Sequence, residues 1–147
     1  MFKKFIFSLV LLLTASGCSI YHEKLDNNLP FSAHHYSNGD LEVTWLAEKS
    51  DSNIRLTGEV RNLRSYYYQD FELIARLMDA SGKIISRKSF THFPDYLPPT
   101  KSEPFQLDFH LPPGTRVERI LYRYFYWLDQ GGPALDIPQF GTILSPP

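Results

Sequence analysis

One cysteine, two methionines and two tryptophans stand in a chain of 147 residues, and each scarcity excludes something. A single thiol cannot form an internal disulfide, so the body must fold on its hydrophobic core alone. There is no basic run. Lysine and arginine number 15 against 16 acidic residues, a formal net charge of −1. Nucleic-acid binding calls for a positive patch against the phosphates, and this sequence offers none. The mild acidity also argues against electrostatic adhesion to anionic lipid. No stretch of useful length has the 3.6-residue apolar period of an amphipathic helix. Internal repeats and low-complexity segments are missing too. No G-x-S-x-G elbow, Gly-rich phosphate loop or H-E-x-x-H pair occurs.

What the chain does have begins at its first residues. Lys3 and Lys4 precede an apolar run, Phe5 to Leu13, and the small residues Thr14-Ala15-Ser16-Gly17 lead directly to Cys18. The run is shorter than the roughly 20 residues that span a bilayer, and its order is that of an export signal. Removing Lys3 and Lys4 with the leader leaves 13 basic residues against 16 acidic ones, a net of −3.

Ala15-Ser16-Gly17-Cys18 resembles the bacterial lipobox, with Ala15 where that family usually has leucine. The resemblance implies a diacylglycerol on the Cys18 thiol and cleavage before it. The mature protein is then held to a membrane by lipid, firmly if two or more chains are attached. Ser19 in place of aspartate points to the outer rather than the inner membrane. Residues 18–38 carry no sustained period and read as a flexible tether. His22, His34 and His35 lie within it, and histidines on such an arm are solvated rather than convergent on a metal.

From Asp40 onward apolar and polar residues alternate with period two. Leu41, Val43, Trp45 and Ala47 share one face; Ile54, Leu56 and Val60 form the next. Phe71, Leu73, Ala75 and Leu77 follow, closed by the turn Asp79-Ala80-Ser81-Gly82. Lys83 to Phe90 returns with a mixed, charged pattern that suits a sheet edge. The segment from Phe93 to Pro104 holds four prolines and is read as lying outside any sheet. Phe105, Leu107, Phe109 and Leu111 alternate again, and a long final strand runs from Val117 to Leu128. The expectation is an all-β antiparallel sandwich of six to seven strands over 39–130. It follows a signal peptide at 1–17 and the tether, and precedes a Pro/Gly-rich C-terminal tail at 131–147, partly ordered, in which Ile143-Leu144 can add a short strand.

The order Gly58-Glu59-Val60-Arg61-Asn62, then Phe71 to Ile85, then Glu103 to Phe109 resembles the FxLYD family of small immunoglobulin-like envelope domains, with Leu77-Met78-Asp79 where the family has Leu-Tyr-Asp. The resemblance implies an immunoglobulin-like fold and no shared activity.

The candidate functional residues are few. Cys18 is the lipidation site. In the last long strand Ile120, Tyr122, Tyr124, Tyr126 and Leu128 form an uncharged face assigned to the core. Arg123, Phe125 and Trp127 then point outward, with the composition of protein-binding hot spots. Either the C-terminal tail folds over them or they form a binding patch. Tyr66, Tyr67 and Tyr68, in a loop from Asn62 to Gln69, are a second candidate, because a tyrosine ring is apolar and its hydroxyl wet; the alternative is that they plug one end of the sandwich. His92 near Asp95 is a conceivable acid–base pair in a loop, and no nucleophile accompanies it. No catalytic, cofactor or metal site is expected. The expected role is a non-enzymatic module of the cell envelope that contacts another envelope protein. The alternative is a periplasmic small-ligand or glycan binder using exposed aromatics.

Overall fold

The computed structural model describes residues 29–91, 96–131 and 136–147. The leader, Cys18, His22 and the His92–Asp95 pair lie outside the described residues. The described residues form nine strands: β1 (His35–Ser37), β2 (Leu41–Lys49), β3 (Asn53–Asn62), β4 (Tyr67–Met78), β5 (Ile84–Thr91), β6 (Tyr96–Leu97), β7 (Ser102–His110), β8 (Arg119–Asp129) and β9 (Ile137–Ser145). Two antiparallel sheets pack face to face. One has the order β1-β2-β3-β7; the other is β5-β4-β8-β9, with β6 pairing β4. The chain changes sheet between β3 and β4, again before β7, and again before β8. This is an immunoglobulin-like Greek key.

Alternation builds the core. Leu41, Val43, Trp45, Ile54, Leu56, Val60, Phe105, Leu107 and Phe109 come from one sheet, and Phe71, Leu73, Ala75, Leu77, Ile120, Tyr122, Tyr124, Tyr126 and Ile143 from the other. Gly58 is a close backbone approach, with regular pairing to Trp45 and Phe105. A β-carbon there would lie 2.1 Å from the Thr44 carbonyl oxygen and 2.6 Å from the Phe105 ring. Gly141 makes the same kind of room: its β-carbon would meet the Tyr124 hydroxyl at 2.1 Å.

The motifs that carry the envelope-domain resemblance have plain mechanical roles. Asn62 is fully buried. Its Nδ2 donates to the carbonyls of Tyr66 (2.7 Å), Leu97 (3.1 Å) and Pro98 (3.2 Å), while its Oδ1 accepts from Arg64 N–H. One carboxamide thus ties the β3–β4 connection to the β6–β7 connection. Asp79 Oδ1 accepts from Ser81 and Lys83 and closes the β4–β5 turn, where Gly82 takes φ +86°. The Ser81 hydroxyl and the Lys83 N–H hold the Asp79 carboxyl below the usual carboxylate range.

Three boundaries differ from the sequence reading. The tether is partly built into the sandwich: β1 pairs β2, and Phe31 bridges Leu144 in parallel. The C-terminal tail supplies β9, which pairs β8 from Ile137 to Ser145. The Pro-rich segment supplies β6 and the start of β7, including Pro104. Both Pro104 and Pro138 sit on border strands, where a missing backbone N–H can face solvent. These additions raise the strand count from six or seven to nine.

Candidate functional site

Residues directly opposite in adjacent strands share a face, so the register lays out the outer surface of the β5-β4-β8-β9 sheet. Thr91, Glu72, Phe125 and Phe140 form one row; Ser89, Ile74, Arg123 and Thr142 the next; Arg87, Arg76, Leu121 and Leu144 a third. A fourth runs from Tyr96 through Gln69 and Trp127 to Pro138. The inner face of β8 is Ile120, Tyr122, Tyr124 and Tyr126, all buried.

Arg123, Phe125 and Trp127 therefore lie on the outer face, each half-buried. The Phe125 and Trp127 rings meet edge to face at 5.5 Å. The described stretch Ile137–Ser145 does not fold over them. It pairs in plane as β9 and enlarges the surface, bringing Phe140 opposite Phe125 and Pro138 opposite Trp127.

The three consecutive tyrosines divide. Tyr66 and Tyr67 are exposed. Tyr68 is not a surface residue: it is fully buried, stacks on Tyr126 at 4.0 Å, and its hydroxyl donates to the Asp40 carbonyl at 2.6 Å. A register shift between Gln69 and Glu72 explains this, because it lets both Tyr68 and Phe71 face inward. Asp70 sits in the shift at φ +51°.

Tyr68 belongs to a buried tyrosine row, with Tyr126 stacked on Tyr124 and Tyr124 tilted against Tyr36. Asn38 Nδ2 donates to the Tyr124 hydroxyl at 2.8 Å. Burial, reinforced by the Asp40 charge, pushes the Tyr68 phenol up to about 12. Burial raises Tyr122, Tyr124 and Tyr126 as well.

Beside Tyr67 lies a cleft of about 450 Å³ lined by Tyr67, Gln69, Asp70, Tyr96 and Asp129. The Tyr67 and Tyr96 rings meet edge to face at 5.7 Å, and Gln69 Nε2 donates to Asp129 Oδ2 at 2.8 Å. Sequence reasoning found Tyr67 and missed Tyr96 and Asp129. Tyr96 stands in the Pro-rich segment, and only its two-residue pairing with β4 brings it to Tyr67.

A second cleft, of about 480 Å³, lies on the other sheet among Glu48, Lys49, Ser50, Asn53, Arg55, Asp108 and His110. Its polar groups answer one another: Arg55 Nε donates to Asp108 at 2.6 Å, and His110 Nδ1 lies 2.6 Å from Asn53 Oδ1. The Arg55 hydrogen bond lowers the Asp108 carboxyl and raises the guanidinium. The tether histidines part company. His35 Nε2 lies 3.1 Å from Glu42, while the His34 ring meets Trp45 edge-on. Among the described residues no three His, Cys, Asp or Glu side chains converge as a metal set.

No family model matches the chain, and no curated protein matches it. The envelope-domain resemblance therefore rests on the residues that carry it. Among solved structures the chain is similar to an ApaA protein from Bordetella pertussis (14% identity, 76% of this chain and 94% of that one, TM-score 0.44). It is also similar to the sporulation control protein Spo0M from Bacillus subtilis (20% identity, 75% and 51%, TM-score 0.33). A third is a β-glucuronidase of glycoside hydrolase family 2 (12% identity, TM-score 0.36), of which the match covers 68% of this chain and 11% of the enzyme. The chain thus spans about half of Spo0M and a tenth of the glucuronidase.

Proposed function

We propose that this is a lipid-anchored, non-enzymatic protein of the cell envelope, held by acyl chains on Cys18 and, with Ser19 next to it, directed to the outer membrane. Its sandwich is an interaction module. The surface offered to an envelope protein partner is the aromatic end of the β5-β4-β8-β9 sheet: Tyr67 and Tyr96, with Tyr66 before them and Trp127 on the neighbouring strand. The observation that supports this is the gathering of aromatic side chains from β4, β6 and β8 at one solvent-facing end. Aromatics and arginine dominate binding hot spots because they bury much area at little entropic cost.

The test is site-specific photo-crosslinking in intact cells. A photoreactive residue at position 96 is expected to give discrete protein adducts, and one at Lys88 on β5 none. Adducts at neither position would end the partner reading. The anchor is tested separately: Cys18→Ser is expected to abolish acylation, and mass analysis of the native N-terminus to show two or more acyl chains.

The cleft itself supports a second reading, a small-ligand or glycan binder. Its size falls in the range of ligand pockets. The tyrosine rings suit the apolar face of a sugar, and Asp70 and Asp129 can accept from its hydroxyls. Titration with cell-wall oligosaccharides should then change tyrosine fluorescence, and Tyr96→Ala should remove the change.

A further inference from the structure

The described chain begins against the edge of β9. Leu144 N–H donates to the Pro30 carbonyl at 3.0 Å, and Ser32 N–H donates to the Leu144 carbonyl at 2.9 Å. This parallel bridge puts Phe31 on the same face as Leu144. Phe140, 75% exposed, and Phe31, 65% exposed, are the two most exposed large apolar side chains among the described residues. Both lie at this one border of the sheet.

The border is also uncharged. No Lys, Arg, Asp or Glu occurs in 137–147, nor in 29–37, in a chain that is 21% charged. Border strands are normally guarded by charge, as β5 is by Arg87 and Lys88 on the opposite side of the same sheet. A border that is aromatic, uncharged and unguarded fits an environment other than open water.

We propose that this border, built from β9 and residues 29–32, faces the bilayer, with Phe31 and Phe140 at the boundary between headgroups and acyl chains. The inference rests on the lipid-anchor reading above. Ten residues lie between Cys18 and Leu29, eleven Cα–Cα steps and a reach of about 40 Å at full extension. The anchor therefore delivers the chain to the sandwich at the same border that carries the two phenylalanines. Tethering makes the contact intramolecular, so a weak apolar affinity is enough. With no charge at the border, the contact is indifferent to lipid charge and to salt. The Tyr67–Tyr96 cleft starts one strand from β9, at Asp129 on β8, and reaches Tyr96 on β6, three strands and about 14 Å away. It stays open to a partner.

The test uses the full acylated protein in phospholipid vesicles whose acyl chains carry bromine, a contact quencher of tryptophan. Both reporter positions are exposed, so Phe140→Trp and Tyr96→Trp leave the core untouched. Phe140→Trp is expected to lose about half or more of its added emission, in zwitterionic and anionic vesicles alike. Tyr96→Trp is expected to keep its own. Protein that pellets with vesicles while Phe140→Trp stays unquenched, or is quenched no more than Tyr96→Trp, overturns the orientation and leaves the anchor standing. Cross-linking of two copies through position 140 in dilute vesicles would assign the border to a dimer instead. Protein that stays in the supernatant with an N-terminal mass of bare cysteine removes the anchor, and this orientation with it.

Discussion

Asn62 shows how much one side chain can hold. Its carboxamide satisfies three backbone carbonyls and one N–H inside the fold. Asn62→Leu keeps the volume but leaves those groups unpaired, and a loss of about 3 kcal/mol is expected in denaturant unfolding. The tyrosines make a sharper contrast. Tyr68→Phe removes a hydrogen bond to the Asp40 carbonyl and should cost about 1 kcal/mol. The Tyr122 hydroxyl is buried and has no hydrogen-bond partner among the described residues, so Tyr122→Phe should leave the melting temperature unchanged or higher. The buried phenols also set an alkaline limit. Tyr68 titrates near 12 in the fold against 10.0 unfolded, so its contribution is complete below about pH 10 and fades as pH climbs through 12. Tyrosinate absorbance should therefore rise in two stages, exposed rings first and the buried row together with loss of circular dichroism. A single stage near pH 10 would contradict the burial.

The strands were legible wherever burial is one-sided. The inward faces of β2, β3, β4, β7 and β8 were read correctly because alternation survives in them. The elements missed were those whose sequence carries little alternation. β1 is three residues long and β6 two, and each exists only because a neighbouring strand offers a partner. β9 reads as a tail with at most a short strand at Ile143-Leu144, because Pro138 and Gly141 interrupt it, although Gly141 is required by the Tyr124 ring above it. Tyr68 reads as a loop residue, because a register shift within one strand leaves no local signal in the residues beside it. Half of the aromatic cleft was invisible for the same reason, since Tyr96 reaches Tyr67 only through tertiary pairing. The placement of β9 is testable. Ile143→Asp puts a charge in the core and is expected to abolish cooperative unfolding, an outcome a dangling tail would not give. Gly58→Ala should cost about 2 kcal/mol or more, because neither the Thr44 backbone nor the packed Phe105 ring can retreat far.

At the scale of the whole molecule, function follows from how the two sheets are finished. The β1-β2-β3-β7 sheet presents an exterior that is polar around an exposed Leu46, and its ion pairs, Arg55 with Asp108 and Arg61 with Glu42, answer one another. The other sheet gathers the aromatics and is bordered on one side by charge and on the other by none. Net charge conceals that division, and it argues only against electrostatic adhesion to anionic lipid. Exposed substitutions at Tyr66 or Tyr67 should leave the unfolding midpoint within about 0.5 kcal/mol of the parent, while Tyr67→Ala weakens whatever the cleft holds. The bridge between Phe31 and Leu144 has a consequence for biogenesis. A sheet whose last strand is flanked by the first described segment cannot be completed until β9 has left the ribosome. Until then β8 keeps an open border, and the core lacks Ile143, which β9 supplies.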